Sequence, residues 1–246
     1  MRSLFSSAGR ARLAWLLRQQ PLLAFDWDGT LVPLAERTSE ARMDAATWRL
    51  FRAVAHRWPT AIVSGRARRD LKVVAGDLGA VALVGNHGME GVGRDRRAPR
   101  WRGLVRSWHP ALEQLEALPG VHVEEKGLSV SVHFREAADP RQARRGLLRR
   151  VAHLDGAQVI PGKAVLNLVP AGAPDKGTAV RTLALRLKRR AILFVGDDVT
   201  DEAAFRLRGS PPLVGVRVGQ RMGSAAQWFV GNQRRVASLL ECLARG

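Results

Sequence analysis

Leu22-Leu23-Ala24-Phe25-Asp26-Trp27-Asp28-Gly29-Thr30 decides the fold. Four apolar residues without alternation fit a strand buried on both faces of a parallel sheet. The strand runs into two acids flanking Trp27, then Gly29, which lets the chain turn sharply so that both acids face one pocket. Outward from this stretch, short apolar runs recur at 61–63, 81–84, 192–195 and 213–218. Between them Trp48, Phe51, Val54 and Trp58, and again Val180, Leu183 and Leu187, recur at helical spacing. This rhythm predicts the α/β class, with a doubly wound parallel-sheet core.

The middle of the chain follows another pattern. A helix is expected over 104–118, then a strand placing Val130, Val132 and Phe134 on one face. Another helix over 142–153 and strands near Val159 and over 165–169 complete it. Helices set against alternating strands predict a small α+β domain with one exposed sheet face. The expected organisation is core over 1–98, an inserted α+β cap over 99–173, and core again over 174–246. Proline joints at Ala98-Pro99 and Ala173-Pro174 flank the insert.

The chain has 246 residues, 46% of them hydrophobic, enough for one substantial core or two modest ones. No apolar run approaches the roughly 20 residues that span a bilayer, so no membrane partner is expected. Its one cysteine, Cys242, excludes an internal disulfide framework and fits a reducing, cytoplasmic location. Cys242 follows Val236, Leu239 and Leu240 and precedes Leu243, so a buried structural thiol is expected. The acid-free stretch before Asp26 carries Arg2, Arg10, Arg12 and Arg18, as a transit peptide does. A short first helix packing Leu13, Leu16 and Leu17 on the core is the preferred reading. The formal charge of +18 draws anionic partners. Yet the basic residues are scattered, and only five of the forty are lysine. A specific nucleic-acid partner is therefore not expected, whereas an anionic small molecule is served.

Ligands of open parallel sheets gather at the carboxyl ends of the strands. There the sequence places Asp26 and Asp28, then Ser64-Gly65-Arg66, then Gly196-Asp197-Asp198-Val199-Thr200-Asp201-Glu202. Helix N-capping accounts for Asp198 or Thr200. It does not account for two acids at the end of an apolar strand. Clustered carboxylates drive one another towards protonation unless a cation intervenes. Oxygen ligands without His or Cys indicate a hard cation, and Mg2+ suits carboxylates combined with a phosphate. A carboxylate that attacks phosphorus splits hydrolysis into two easier steps. A second carboxyl then serves as general acid and base. The six histidines are assigned neither a metal site nor a catalytic role.

On these residues the chain resembles the haloacid dehalogenase superfamily and, within it, the trehalose-6-phosphate phosphatases. The resemblance makes Asp26 the nucleophile and Asp28 the general acid and base. Ser64 becomes a hydroxyl on the phosphoryl oxygens, with Gly65 and Arg66 beside it as substrate contacts. Lys176, in Pro174-Asp175-Lys176-Gly177, becomes the fixed cation. Magnesium is then held by Asp26, the backbone carbonyl of Asp28, and Asp197, with Asp201 in support. Val84-Gly85-Asn86-His87-Gly88 and the GDDxTDE form narrow the likeness to the trehalose branch. In the insert, Glu124 and Lys126 resemble the family's sugar-gripping pair, and Asn167 stands where the family carries a glutamate.

The implied function is magnesium-dependent hydrolysis of trehalose 6-phosphate through an aspartyl phosphate, by a monomer whose cap closes over the sugar phosphate. Asn167 and Val169 depart from the family pattern and keep open a phosphatase for another sugar or glycosyl phosphate. A regulatory or basic nucleic-acid-binding module without catalysis is the alternative from a different class. The intact set Asp26, Asp28, Ser64, Lys176 and Asp197 argues against it.

Overall fold

Every apolar run read from the sequence becomes a strand of one sheet. In the computed structural model, which describes residues 1–34, 41–93 and 95–246, two units are distinct: Met1–Val92 with Pro174–Gly246, and Gly93–Ala173.

The first unit holds seven parallel strands. They are β1 (Arg2–Ser3), β2 (Leu22–Phe25), β3 (Thr60–Val63), β4 (Ala82–Val84), and, beyond the insert, β9 (Ile192–Gly196), β10 (Leu213–Val218) and β11 (Trp228–Val230). Their order is β1-β11-β10-β9-β2-β3-β4. From β2 the chain steps one way to β3 and β4; from β9 it steps the other way to β10 and β11. The β2–β9 pair is therefore the switch point, where open α/β sheets form their crevice.

Strand pleat divides the core in two. Leu23, Phe25, Ile62, Leu193, Val195, Val214 and Val216 face α1 (Ser7–Arg18), α2 (Ala45–Arg57), α3 (Arg68–Ala75) and α9 (Arg234–Arg245). Leu22, Ala24, Ala61, Val63, Ile192 and Phe194 face α7 (Lys176–Arg186) and the single turn of α8 (Glu202–Phe205). Burial of each large side chain contributes about 1.5–3 kcal/mol. Phe25 meets Phe51 edge to face, with centroids 5.5 Å apart.

Two features of this unit differ from the sequence reading. Leu13 and Leu16 of α1 are buried as expected, but the residues before them also form β1, which pairs with β11. Cys242 is exposed, not buried. Val236, Leu239, Leu240 and Leu243 already complete the buried stripe of α9. Cys242 lies two residues past Leu240, some 200° round the helix and off that stripe.

The second unit is an antiparallel sheet of β5 (His122–Glu125), β6 (Val130–His133), β8 (Val165–Pro170) and β7 (Ala157–Gly162), in that order. Val130, Val132, Leu166 and Leu168 pack against α4 (Ala98–Ser107), α5 (His109–Glu116) and α6 (Pro140–Val151). The single helix expected over 104–118 is two, divided at Trp108. Pro110 cannot donate to the Arg106 carbonyl, so the first helix stops short of it. Register places His122 opposite His133, Glu124 opposite Ser131, and Ser131 opposite Asn167 on the other sheet face. That face is polar, as expected, yet Ser131 and Asn167 are themselves buried.

Candidate active site

Asp26 continues the line of β2, its amide donating to the Val195 carbonyl of β9 at 2.8 Å. Lys176 is the first residue of α7, which Asp175 caps by accepting the Thr178 amide at 2.7 Å. That cap aims the lysine along the strand ends. Its Nζ lies 2.6 Å from Asp26 Oδ1 and 2.7 Å from Asp201 Oδ1. All three residues are buried.

The loop after β9 brings two more oxygens. Asp197 Oδ1 accepts from the Thr30 hydroxyl at 3.3 Å. Asp201 Oδ2 accepts the Asp198 amide at 2.9 Å and so closes the loop on itself. The approach leaves no room for side chains at two glycines. Gly29 has φ +82°, and a Cβ on it would fall 2.2 Å from Asp197 Oδ2. One on Gly196 would fall 2.4 Å from Asp201 Oδ2.

One carboxylate oxygen each from Asp26, Asp197 and Asp201 lies within 4.8 Å of the others. Three carboxylates against the one Lys176 ammonium leave a formal charge of −2, which a divalent cation balances. The titration of the group carries the same demand. Burial, then Asp201 and Asp198, push Asp197 up to about 7. Burial likewise raises Asp26 well above the carboxylate range, although Lys176 pulls the other way. Burial opposes charge on Lys176 too, but Asp201 and Asp26 outweigh it and hold the ammonium protonated beyond the usual lysine range. An all-oxygen donor set of this charge fits magnesium.

Asp28 has a different environment. Its carboxylate is gripped bidentately by Arg66, Nε to Oδ2 at 2.8 Å and Nη2 to Oδ1 at 2.5 Å. Ser64 Oγ accepts the Arg66 amide at 3.1 Å. The segment from Gly85 to Gly88 docks beneath this turn. Asn86 donates its amide to the Arg66 carbonyl at 2.7 Å, and His87 to that of Ser64 at 3.0 Å. Gly65 sits against the His87 ring, where a Cβ would come within 2.5 Å of Cε1.

Of the residues picked from sequence, the first unit therefore brings together Asp26, Lys176, Asp197 and Asp201, with Asp28, Ser64, Gly65 and Arg66 linked at the neighbouring strand ends. Three further residues belong to this assembly: Thr30 and Glu202, which stand in the sequence motifs without an assigned role, and Arg217, which is not among the residues picked from sequence. Thr30 bonds Asp197, while Glu202 and Arg217 hold the loop from beneath. The available signal for Arg217 was its place as the single charge in an otherwise apolar strand, Leu213–Val218.

In the second unit, Lys126 Nζ lies 3.5 Å from Glu124 Oε2 and donates to Ser131 Oγ at 2.8 Å. Ser131 passes the chain on to Asn167 Oδ1 at 2.7 Å. His133 Nε2 meets Glu124 Oε2 at 2.9 Å. Burial works against the Glu124 charge, but His133 and then Lys126 outweigh it and lower its pKa from 4.5 to about 2. A depressed carboxylate stabilises the fold above its unfolded pKa, and that stability is lost as pH falls through the folded value. Glu124→Gln is thus expected to lower the melting temperature at pH 6. Its deficit against the parent should shrink between about pH 5 and pH 2, as followed by thermal unfolding. A deficit independent of pH would show that the ionised carboxylate is not what stabilises this face.

Residues 24–222 match the sequence profile described as trehalose-phosphatase. A trehalose-phosphate phosphatase from Mycolicibacterium paratuberculosis (strain ATCC BAA-968 / K-10) is 30% identical over 93% of this chain and 63% of its own length. The chain thus spans less than two thirds of that relative. Among solved structures, the C-terminal domain of C. albicans trehalose-6-phosphate phosphatase superposes with a TM-score of 0.80 at 23% identity, covering 96% of each chain. A sugar phosphatase of HAD subclass IIB superposes at 0.61 with 12% identity, over 90% of this chain and 98% of its own. Both structures share the fold: a parallel-sheet core with a separate α+β unit inserted.

Proposed function

Because the chain belongs to the trehalose-phosphatase family, we propose that it hydrolyses trehalose 6-phosphate to trehalose and phosphate by covalent catalysis at Asp26. The observation that carries this reading is the buried Lys176 ammonium held between Asp26 and Asp201 at the switch point of the sheet. A structural ion pair has no need of two further acids and a close-packed glycine turn around it.

In the first step an oxygen of Asp26 attacks phosphorus, and the bond from phosphorus to the sugar oxygen breaks. Asp28 gives that oxygen its proton. In the second step Asp28 takes a proton from water as the water oxygen attacks phosphorus. The bond to Asp26 then breaks, and phosphate leaves. Lys176 holds the nucleophile in place and faces the developing charge, while the Ser64 hydroxyl, the Gly65 backbone and Arg66 meet the phosphoryl oxygens. Arg66 holds Asp28 as a carboxylate through both oxygens, so in this reading one oxygen leaves Arg66 before Asp28 carries the proton it gives and takes.

Asp26, Asp197 and Asp201, with the Asp28 carbonyl, would hold magnesium. When bound it supplies positive charge to the phosphoryl oxygens. Glu124, Lys126 and Asn167 of the second unit meet the sugar hydroxyls in this reading. The protein is proposed to act as a cytoplasmic monomer; among the described residues no helix is long and apolar enough to cross a membrane.

A second reading, a phosphatase for another sugar phosphate, has one specific observation in its favour. Asn167 replaces the family's charged residue, and its oxygen is already taken by Ser131. Phosphate release from trehalose 6-phosphate, glucose 6-phosphate and a glycosylglycerol phosphate separates the two. We expect trehalose 6-phosphate to be preferred by roughly tenfold or more in kcat/KM, with EDTA stopping turnover and magnesium restoring it. Preference for another member of the panel would keep the chemistry of Asp26 and change the substrate. Indifference to chelation would remove the metal.

A further inference from the structure

The strand β10 is apolar along its length except at Arg217, which is only 5% exposed. A guanidinium is not left in such a place without partners, because desolvating it costs several kcal/mol. Here every contact lies on one loop. Nη1 donates to the Glu202 carboxylate at 3.2 Å and to the Asp198 carbonyl at 3.3 Å, and Nη2 donates to the Asp197 carbonyl. The other oxygen of Glu202 accepts the Ala225 amide at 2.8 Å, which ties the pair to the chain ahead of β11. One planar fork therefore fixes two successive peptide carbonyls and the first residue of α8.

Those two carbonyls belong to the segment that aims Asp197, and Asp201 immediately precedes the fixed Glu202. Turning either peptide would swing Asp197 away from Thr30 and Asp26. A lysine has one point of attachment and cannot hold three acceptors in a fixed plane.

We propose that Arg217, seated on Glu202, is a positioning residue that sets the geometry of the Asp197–Asp201 loop and thereby the affinity of the site for its divalent cation. This rests on the magnesium reading of Asp26, Asp197 and Asp201. Arg217 touches no substrate and acts only through the loop.

The test uses the full chain with Arg217→Lys, which keeps a cation opposite Glu202, and Glu202→Gln, which removes the charge and leaves one acceptor oxygen where the carboxylate serves both the guanidinium and the Ala225 amide. Magnesium binding is measured by calorimetry on metal-free protein, without substrate. Hydrogen exchange of the 196–202 segment is followed in the absence of metal. We expect magnesium to bind about 10- to 100-fold more weakly, exchange in the segment to quicken, and turnover to recover as magnesium is raised. A buried ion pair that served stability alone would lower the melting temperature without moving the magnesium affinity of the folded protein. Parental affinity and parental exchange in a folded Arg217→Lys variant would overturn the proposal. Should that variant fail to fold, Glu202→Gln decides on the same readouts. If the parent itself binds no magnesium, the metal reading falls, and the exchange arm still reports whether Arg217 fixes the loop.

Discussion

Asp26→Asn is expected to lower turnover by roughly 10⁴-fold or more while the protein stays folded and melts at or above the parental temperature. The two halves of this expectation have one cause. The Asp26 carboxylate is buried, and burial raises its pKa well above the ordinary value even with Lys176 beside it. The folded state therefore disfavours its charge at neutral pH, and a neutral isostere relieves that penalty. Lys176 keeps Asp201 at 2.7 Å, so its own charge is not stranded. Activity is lost because an amide oxygen is a poor nucleophile towards phosphorus. Single-turnover phosphate release and thermal unfolding of the same preparation check both halves. Retained turnover would remove Asp26 as nucleophile; a folded protein with a much lower melting temperature would mean that the charge is structural.

Lys176→Met is expected to do the opposite to stability. It leaves Asp26 and Asp201 facing one another, each at most 4% exposed and without their cation. Removing one partner from a buried ionic group costs about 3–5 kcal/mol. Denaturant unfolding in EDTA measures it. Part of the loss should return when magnesium is added, since a ligand that binds only the folded state stabilises it by mass action. Turnover should still fall by about 10²–10³-fold at saturating magnesium, because the fixed charge on the transferring group is gone. Parental stability in EDTA would show that other groups balance these acids.

The sequence was most readable where residues report on their own neighbourhood. Leu22–Phe25 is apolar throughout because it is covered on both faces, and the strand could be read from those four letters. The acids of Asp26-Trp27-Asp28 and of the Gly196–Glu202 loop stand out because they follow such strands at once. What could not be read depends on pairing between distant segments. Arg66 meets Asp28 only because β3 lies beside β2. His133 meets Glu124 only through the antiparallel register of β5 and β6. Arg217 looks like one more arginine in a chain rich in them until β10 is placed beside β9. Cys242 was misjudged for a related reason. A thiol among leucines suggests burial, but the angle around α9, not the company in sequence, decides which residues face the core.

The switch point between β2 and β9 also sets a timetable for synthesis. Leu22–Phe25 leaves the ribosome about 170 residues ahead of its neighbour Ile192–Gly196. At roughly 5–20 residues per second, translation leaves the central strand with one side unpaired for about 10–30 s. The Gly93–Ala173 unit closes all its strand pairs within itself and is complete before that partner emerges. Asp26 meets Lys176 and Asp201 only once those residues, 150 and more positions further on, have followed. The nascent segment thus carries the Asp26 carboxylate through that interval without the charged groups that surround it in the fold, and the apolar strand Leu22–Phe25 spends it in need of protection from other chains.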